Sequence, residues 1–127
     1  MSTPTTNPPE QKKPYRDINK IEIAGQLGKN PETVVLGDGR MIVTGSLASH
    51  RNYMKDGQMA KKTNWVPFTY RGQDPEAFAN ALRKGDQVVL LGALDYREWT
   101  DESTQSKRST LEVAAFEYKL VRSGKNH

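Results

Sequence analysis

Between Asn64 and Arg71 apolar side chains fall on every second residue, with Val66, Phe68 and Tyr70 on one face and Trp65, Pro67, Thr69 and Arg71 on the other. A helix would scatter these residues around its axis, whereas a strand with one buried face keeps them in register. The apolar face is complete without Trp65. The pattern returns after Val88 to Leu91, a run apolar on both faces, where Leu94 and Tyr96 oppose Asp95, Arg97 and Trp99. Both tryptophans thus end on polar rows beside arginine, an arrangement suited to stacking against something flat and anionic.

The rest of the chain supplies few other ways to fold. Residues 1–17 hold four of the seven prolines and almost no aliphatic side chain, and read as a flexible arm. From Asn19 to Leu27 the alternation of Ile21, Ile23, Gly25 and Leu27 against Lys20, Glu22, Ala24 and Gln26 predicts a half-buried strand. A corner at Gly28 to Pro31 bends it into Thr33 to Leu36, and Gly37-Asp38-Gly39 turns the chain into a second strand, Arg40 to Arg51. Arg51 to Thr63, carrying Lys55, Lys61 and Lys62 around Asp56-Gly57, reads as a long, mobile, basic loop before the Trp65 strand. Asp74-Pro75-Glu76 has the cap, first-turn proline and acid that open a helix, with Phe78 and Leu82 as its apolar stripe and Lys84-Gly85 as its stop. A fourth strand runs from Gln87 to about Trp99, and a polar loop, Thr100 to Arg108, leads to a fifth, Thr110 to Val121. Its change of apolar phase near Ala114-Ala115 predicts a bulge. Five strands with one short helix between the third and fourth is the element order of an OB-fold, an all-β Greek-key barrel, here over residues 18–122 with a short tail at 123–127. Phe68, Tyr70, Phe78, Phe116 and Tyr118 join the aliphatic alternation and are expected in the core or a subunit contact.

Composition narrows the function. A chain of 127 residues is sized for one domain, and 19 Lys and Arg against 15 Asp and Glu give a charge of +4 that favours a polyanionic partner. The absence of cysteine excludes disulfides, thiolate metal sites and cysteine nucleophiles. His50 and His127 have no spaced partner, Gly28-Lys29 is no phosphate loop, and Asp38, Asp56, Asp74 and Asp101 fall in turns or caps. No catalytic residue, metal or cofactor is therefore expected, and the reading is a binding protein rather than an enzyme. No apolar run approaches membrane-spanning length and no secretory signal stands at the N-terminus, so a cytoplasmic location is expected.

Five segments, INKIEIAGQLGKNPE (18–32), SLAS (46–49), TNW (63–65), LRKGDQVVLLGAL (82–94) and YREWTD (96–101), together resemble bacterial-type single-stranded-DNA-binding proteins over about residues 18–121. The resemblance implies an OB-fold, homo-oligomers that are usually tetramers, and stacking of aromatic side chains on unpaired DNA in replication, recombination or repair at the nucleoid. Matched residue by residue, Trp65 and Trp99 stand at two stacking positions, Tyr53 at a third, and Arg71 where a stacking phenylalanine is common. Lys84 and Arg97 match basic positions on the strand path, and Arg51, Lys55, Lys61 and Lys62 are candidates for neutralising phosphates. Glu98, Asp95 and Val66 depart from the usual lysine, arginine and histidine. The last acidic residue is Glu117 and the sequence closes VRSGKNH, so the acidic tip that recruits enzymes in this family is not expected, as would fit a mobile-element or phage-like form. A primosomal, replication-restart type of OB protein that works mainly through protein partners is the alternative.

Overall fold

The alternating segments pair as strands β1 (Ile21–Leu27), β2 (Glu32–Val35), β3 (Met41–Lys55), β4 (Gln58–Tyr70), β5 (Gln87–Asp101) and β6 (Ser106–Arg122), with helix α1 (Pro75–Ala81) between β4 and β5. These elements come from a computed structural model that describes residues 16–124, so most of the expected arm and residues 125–127 of the expected tail lie outside the described residues. The sheet order is β1-β5-β6-β4-β3-β2, and a further pairing of β1 with β3 joins the ends into a ring of five strands. That pairing is short, Gln26 to Ala48 and Leu27 to Leu47. β4 and β6 run parallel from Phe68–Val113 to Tyr70–Ala115, and the other pairs are antiparallel. This closed, mostly antiparallel barrel is the architecture of an OB-fold. The expectation of five strands treated β1 and β2 as one bent strand. The Gly28 to Pro31 corner separates them, and β2, exposed along its length, lies outside the ring on the edge of β3. Counted in this way, α1 follows the fourth strand.

Two glycines let the ring close. A Cβ on Gly25 would run into the Ala48 carbonyl, and one on Gly92 into the Ala114 carbonyl. Side chains of Val43, Leu47, Phe68, Val88, Leu90 and Val113 fill the interior. Phe78, the one buried residue of α1, plugs one end of that core. Its ring stacks on Tyr70 at 4.5 Å and meets Tyr118 edge-on at 4.6 Å. Asp74 caps the helix, its Oδ1 accepting the Ala77 N–H at 3.1 Å, with its backbone in the left-handed region at φ 53° rather than the extended one usual for a cap.

Two segments read as loops are strands. β3 and β4 stay paired out to Lys55–Gln58, and the connection is only Asp56-Gly57, with φ 51° and 76° as a tight hairpin turn needs. The long, mobile loop over Arg51–Thr63 is therefore replaced by a ribbon. Its polarity does not alternate because both faces meet water, which leaves hydrophobic period nothing to report. Likewise β5 and β6 pair out to Asp101–Ser106, shrinking the Thr100–Arg108 loop to residues 102–105. The bulge lies one residue beyond Ala115: register shifts opposite Leu91/Gly92 and Gln87/Val88 leave Phe116 and Val121 unpaired. Phe116 is 51% exposed and does not belong to the core.

Phe78→Ala should cost about 3–5 kcal/mol in denaturant titrations, because the ring closes the barrel end and little nearby can collapse into its space. Tyr70 gives a pH signature. Burial, then the neighbouring Tyr118 phenol, holds its hydroxyl above the ordinary value of 10.0. The unfolded phenol therefore ionises first, and stability should fall as pH rises from about 10 through the folded value. Tyr70→Phe should flatten that decline in a urea midpoint series.

Candidate nucleic-acid interface

Once β1 has paired with β3 at Leu47 and Ala48, and with β5 as far as Gly92, the remaining lengths of β3–β4 and β5–β6 have no third strand beside them. Two ribbons consequently project from one side of the barrel. Trp65 stands at the root of the first, opposite Ala48, on the outward face and 64% exposed. Gly28 forms the floor beneath it, since a Cβ there would come within 2.8 Å of the indole ring. Any larger residue at this corner would lift the tryptophan. Lys84 stands at the same end, its N–H bonded to Asn30 Oδ1 at 2.8 Å across the β1–β2 corner.

On the second ribbon, Asp95, Arg97 and Trp99 share a face with Glu112, Thr110 and Arg108. Trp99 is 41% exposed, and the Arg97 guanidinium lies 4.6 Å from the centre of its ring. Arg97 Nε also approaches Glu112 Oε1 at 3.4 Å. Arg71, expected to lie on a base, is held at the barrel wall: its Nε donates to Thr69 Oγ1 at 3.0 Å, and its Nη2 stands 3.7 Å from Asp95 and 4.0 Å from Glu112. Both arginines also line a cleft of about 420 Å³. Val34, Ile42 and Pro67 are part of its apolar lining, and Lys29, Arg71, Arg97 and Glu112 supply its charges.

The remaining candidates lie on the first ribbon. Register puts Tyr53 opposite Ala60, and therefore on the face that Trp65 does not share. Tyr53 is 36% exposed with Arg51 5.8 Å over its ring. Arg51 faces Lys62 directly across the ribbon, two like charges side by side, and Lys55 and Lys61 are exposed nearer the tip. At the tip of the second ribbon, hydrogen bonds from Ser103, aided by Arg108, hold the Asp101 carboxyl below its usual range and keep it charged. Glu112 is the site residue that sequence reasoning overlooks. Its place in an alternating strand marks it as an outward polar residue, and nothing local signals that two arginines and the cleft wall bury it to 4%.

The profile of the Single-strand binding protein family matches residues 18–121. The chain belongs to that family. A solved structure described as Plasmodium falciparum SSB in complex with ssDNA matches with a TM-score of 0.72 at 23% identity, covering 87% of this chain and 98% of that one. The likeness supports the fold. Membership also makes this a binding protein and not an enzyme. No helix among the described residues is long and apolar enough to cross a membrane.

In a Trp65→Phe background, where Trp99 alone reports, removing the guanidinium with Arg97→Ala should increase acrylamide quenching of the indole. Unchanged quenching would mean that Arg97 leaves the ring uncovered in solution.

Proposed function

We propose that this protein coats single-stranded DNA with little sequence preference, stacking unpaired bases on Trp65 and Trp99 while basic side chains follow the backbone. The observation that carries the reading is the exposure of two indoles on polar faces, 64% for Trp65 and 41% for Trp99. Every base has a π-face, so stacking at roughly 1–3 kcal/mol per base holds a strand whatever its sequence. Bases in a duplex already stack on one another and are not available.

Phosphates have a separate track. Arg51, Lys55, Lys61, Lys62 and Lys84 form no ion pair among the described residues, whereas Arg71 and Arg97 are already beside carboxylates. The unpaired cations are the ones free to displace counterions. Register sets Arg51, Lys55 and Lys62 with Tyr53 on the face that Trp65 does not share, so a strand would meet them where it wraps around the ribbon.

Self-association completes the proposal. The two bulges aim Phe116 and Val121 outward, 51% and 53% exposed, and a second copy of the chain would cover them. Family likeness makes a tetramer the expected assembly, acting in replication, recombination or repair. The same outward Phe116 also favours a second reading, a replication-restart type of protein that uses this face for a different protein partner.

Trp65→Ala and Trp99→Ala should each weaken oligo-dT binding by roughly 1–3 kcal/mol with the barrel intact by circular dichroism. Lys62→Gln should lower the slope of log affinity against log salt by about 0.7. Light scattering should report an oligomer that Phe116→Asp reduces. A monomeric wild type that still captures helicase would favour the second reading.

A further inference from the structure

Among the described residues two carboxylates are deeply buried, and only one has both oxygens hydrogen-bonded. Asp86 accepts N–H groups from Arg83 at 2.9 Å and Gly124 at 2.8 Å. Glu112 Oε1 has only Arg97 at 3.4 Å, and Oε2 has no hydrogen bond and is sealed from solvent. The Arg71 Nη2 that covers Oε2 stands 4.0 Å away, beyond bonding distance. A buried acceptor left unmet is costly, and the residue that carries this one lines the cleft.

We propose that Glu112 Oε2 accepts the pairing-edge N–H of a base seated in this cleft, so that the protein recognises that a base is unpaired without reading which base it is. The inference rests on the single-strand reading above. Thymine carries N3–H, guanine N1–H, cytosine and adenine an exocyclic amino group, so all four bases present at least one donor on that edge. In a duplex those protons are already bonded. A carboxylate acceptor is therefore tolerant of sequence and intolerant of pairing, and recognition of pairing edges is common where bases are splayed from single strands.

The cleft fits that occupant. Val34, Ile42 and Pro67 supply apolar surface for the ring face, while Arg71 and Arg97 flank the carboxylate with donors for a base carbonyl or ring nitrogen. The cleft lining is net positive, with Lys29, Arg71 and Arg97 against Glu112, and its two arginines are the cations already paired. Arg71 and Arg97 are balanced locally by Asp95 and Glu112, whereas the first ribbon carries unpaired cations. Because Oε2 is sealed, seating a base requires the Arg71 head, 4.0 Å away, to swing aside while its Nε stays on Thr69.

The test removes the donor from the ligand. Oligo-dT is compared with the same strand carrying N3-methylthymine, on the wild type and on Glu112→Leu. Wild type should bind the methylated strand about tenfold more weakly, equivalent to roughly 1.4 kcal/mol. In Glu112→Leu the ratio should fall close to one. Equal wild-type affinities would overturn the assignment, as would an equal methyl penalty in both proteins, which would be steric. A measurement needing no variant is proton NMR of wild type with oligo-dT, where a protected thymine imino resonance should appear on binding, and its absence counts against Glu112. If neither strand binds at all, the single-strand reading fails too; if both bind equally, only the role of Glu112 fails.

Discussion

The short pairing of β1 with β3 governs the rest of the molecule. Two residue pairs join the ends of the sheet, and closure leaves the ring without a free edge. Closure needs close backbone approach, which Gly25 and Gly92 permit by having no side chain to strike a neighbouring carbonyl. Because the ring uses only part of β3, β4, β5 and β6, the surplus lengths leave it as two-stranded ribbons. The face proposed to bind DNA is the side from which those ribbons emerge, and the corner that follows β1 sets Gly28 under Trp65.

Charge is divided between the two ribbons rather than uniformly positive. The first ribbon is basic, with Arg51 and Lys62 directly opposed and only Asp56 to offset its cations. Around the cleft, Arg71 and Arg97 interleave with Asp95 and Glu112, so their guanidinium groups are held in place and partly neutralised. Unpaired lysines attract a polyanion at a distance and lose strength with salt. Held guanidiniums offer planes and directed donors. Ribbons built in this way separate long-range capture from short-range recognition of flat, polar-edged groups.

Much of this was legible before any coordinates. Wherever one face of a strand is buried, alternation locates it, which is why Trp65 and Trp99 were readable as outward and Phe68 and Tyr70 as inward. Asp74-Pro75 was readable because capping is local chemistry. The ribbons were not, because residues with water on both sides carry no hydrophobic period, and only the Asp56-Gly57 turn hinted at pairing. The phase change near Ala114-Ala115 announced a bulge, but which side of the barrel wall Phe116 would take was open between core and subunit contact, and the inserted residue puts it on the surface.

By itself the sequence determined the class of fold, the helix and its cap, the surface placement of the two indoles and the basic character of the Arg51–Lys62 segment, since each depends on neighbours a few residues away. Tertiary structure decided which arginines are free and which are paired, the opposite facing of Tyr53 and Trp65, and the burial of Glu112. Those outcomes depend on register between strands distant in sequence, and a carboxylate and the guanidiniums around it meet only after the barrel has closed.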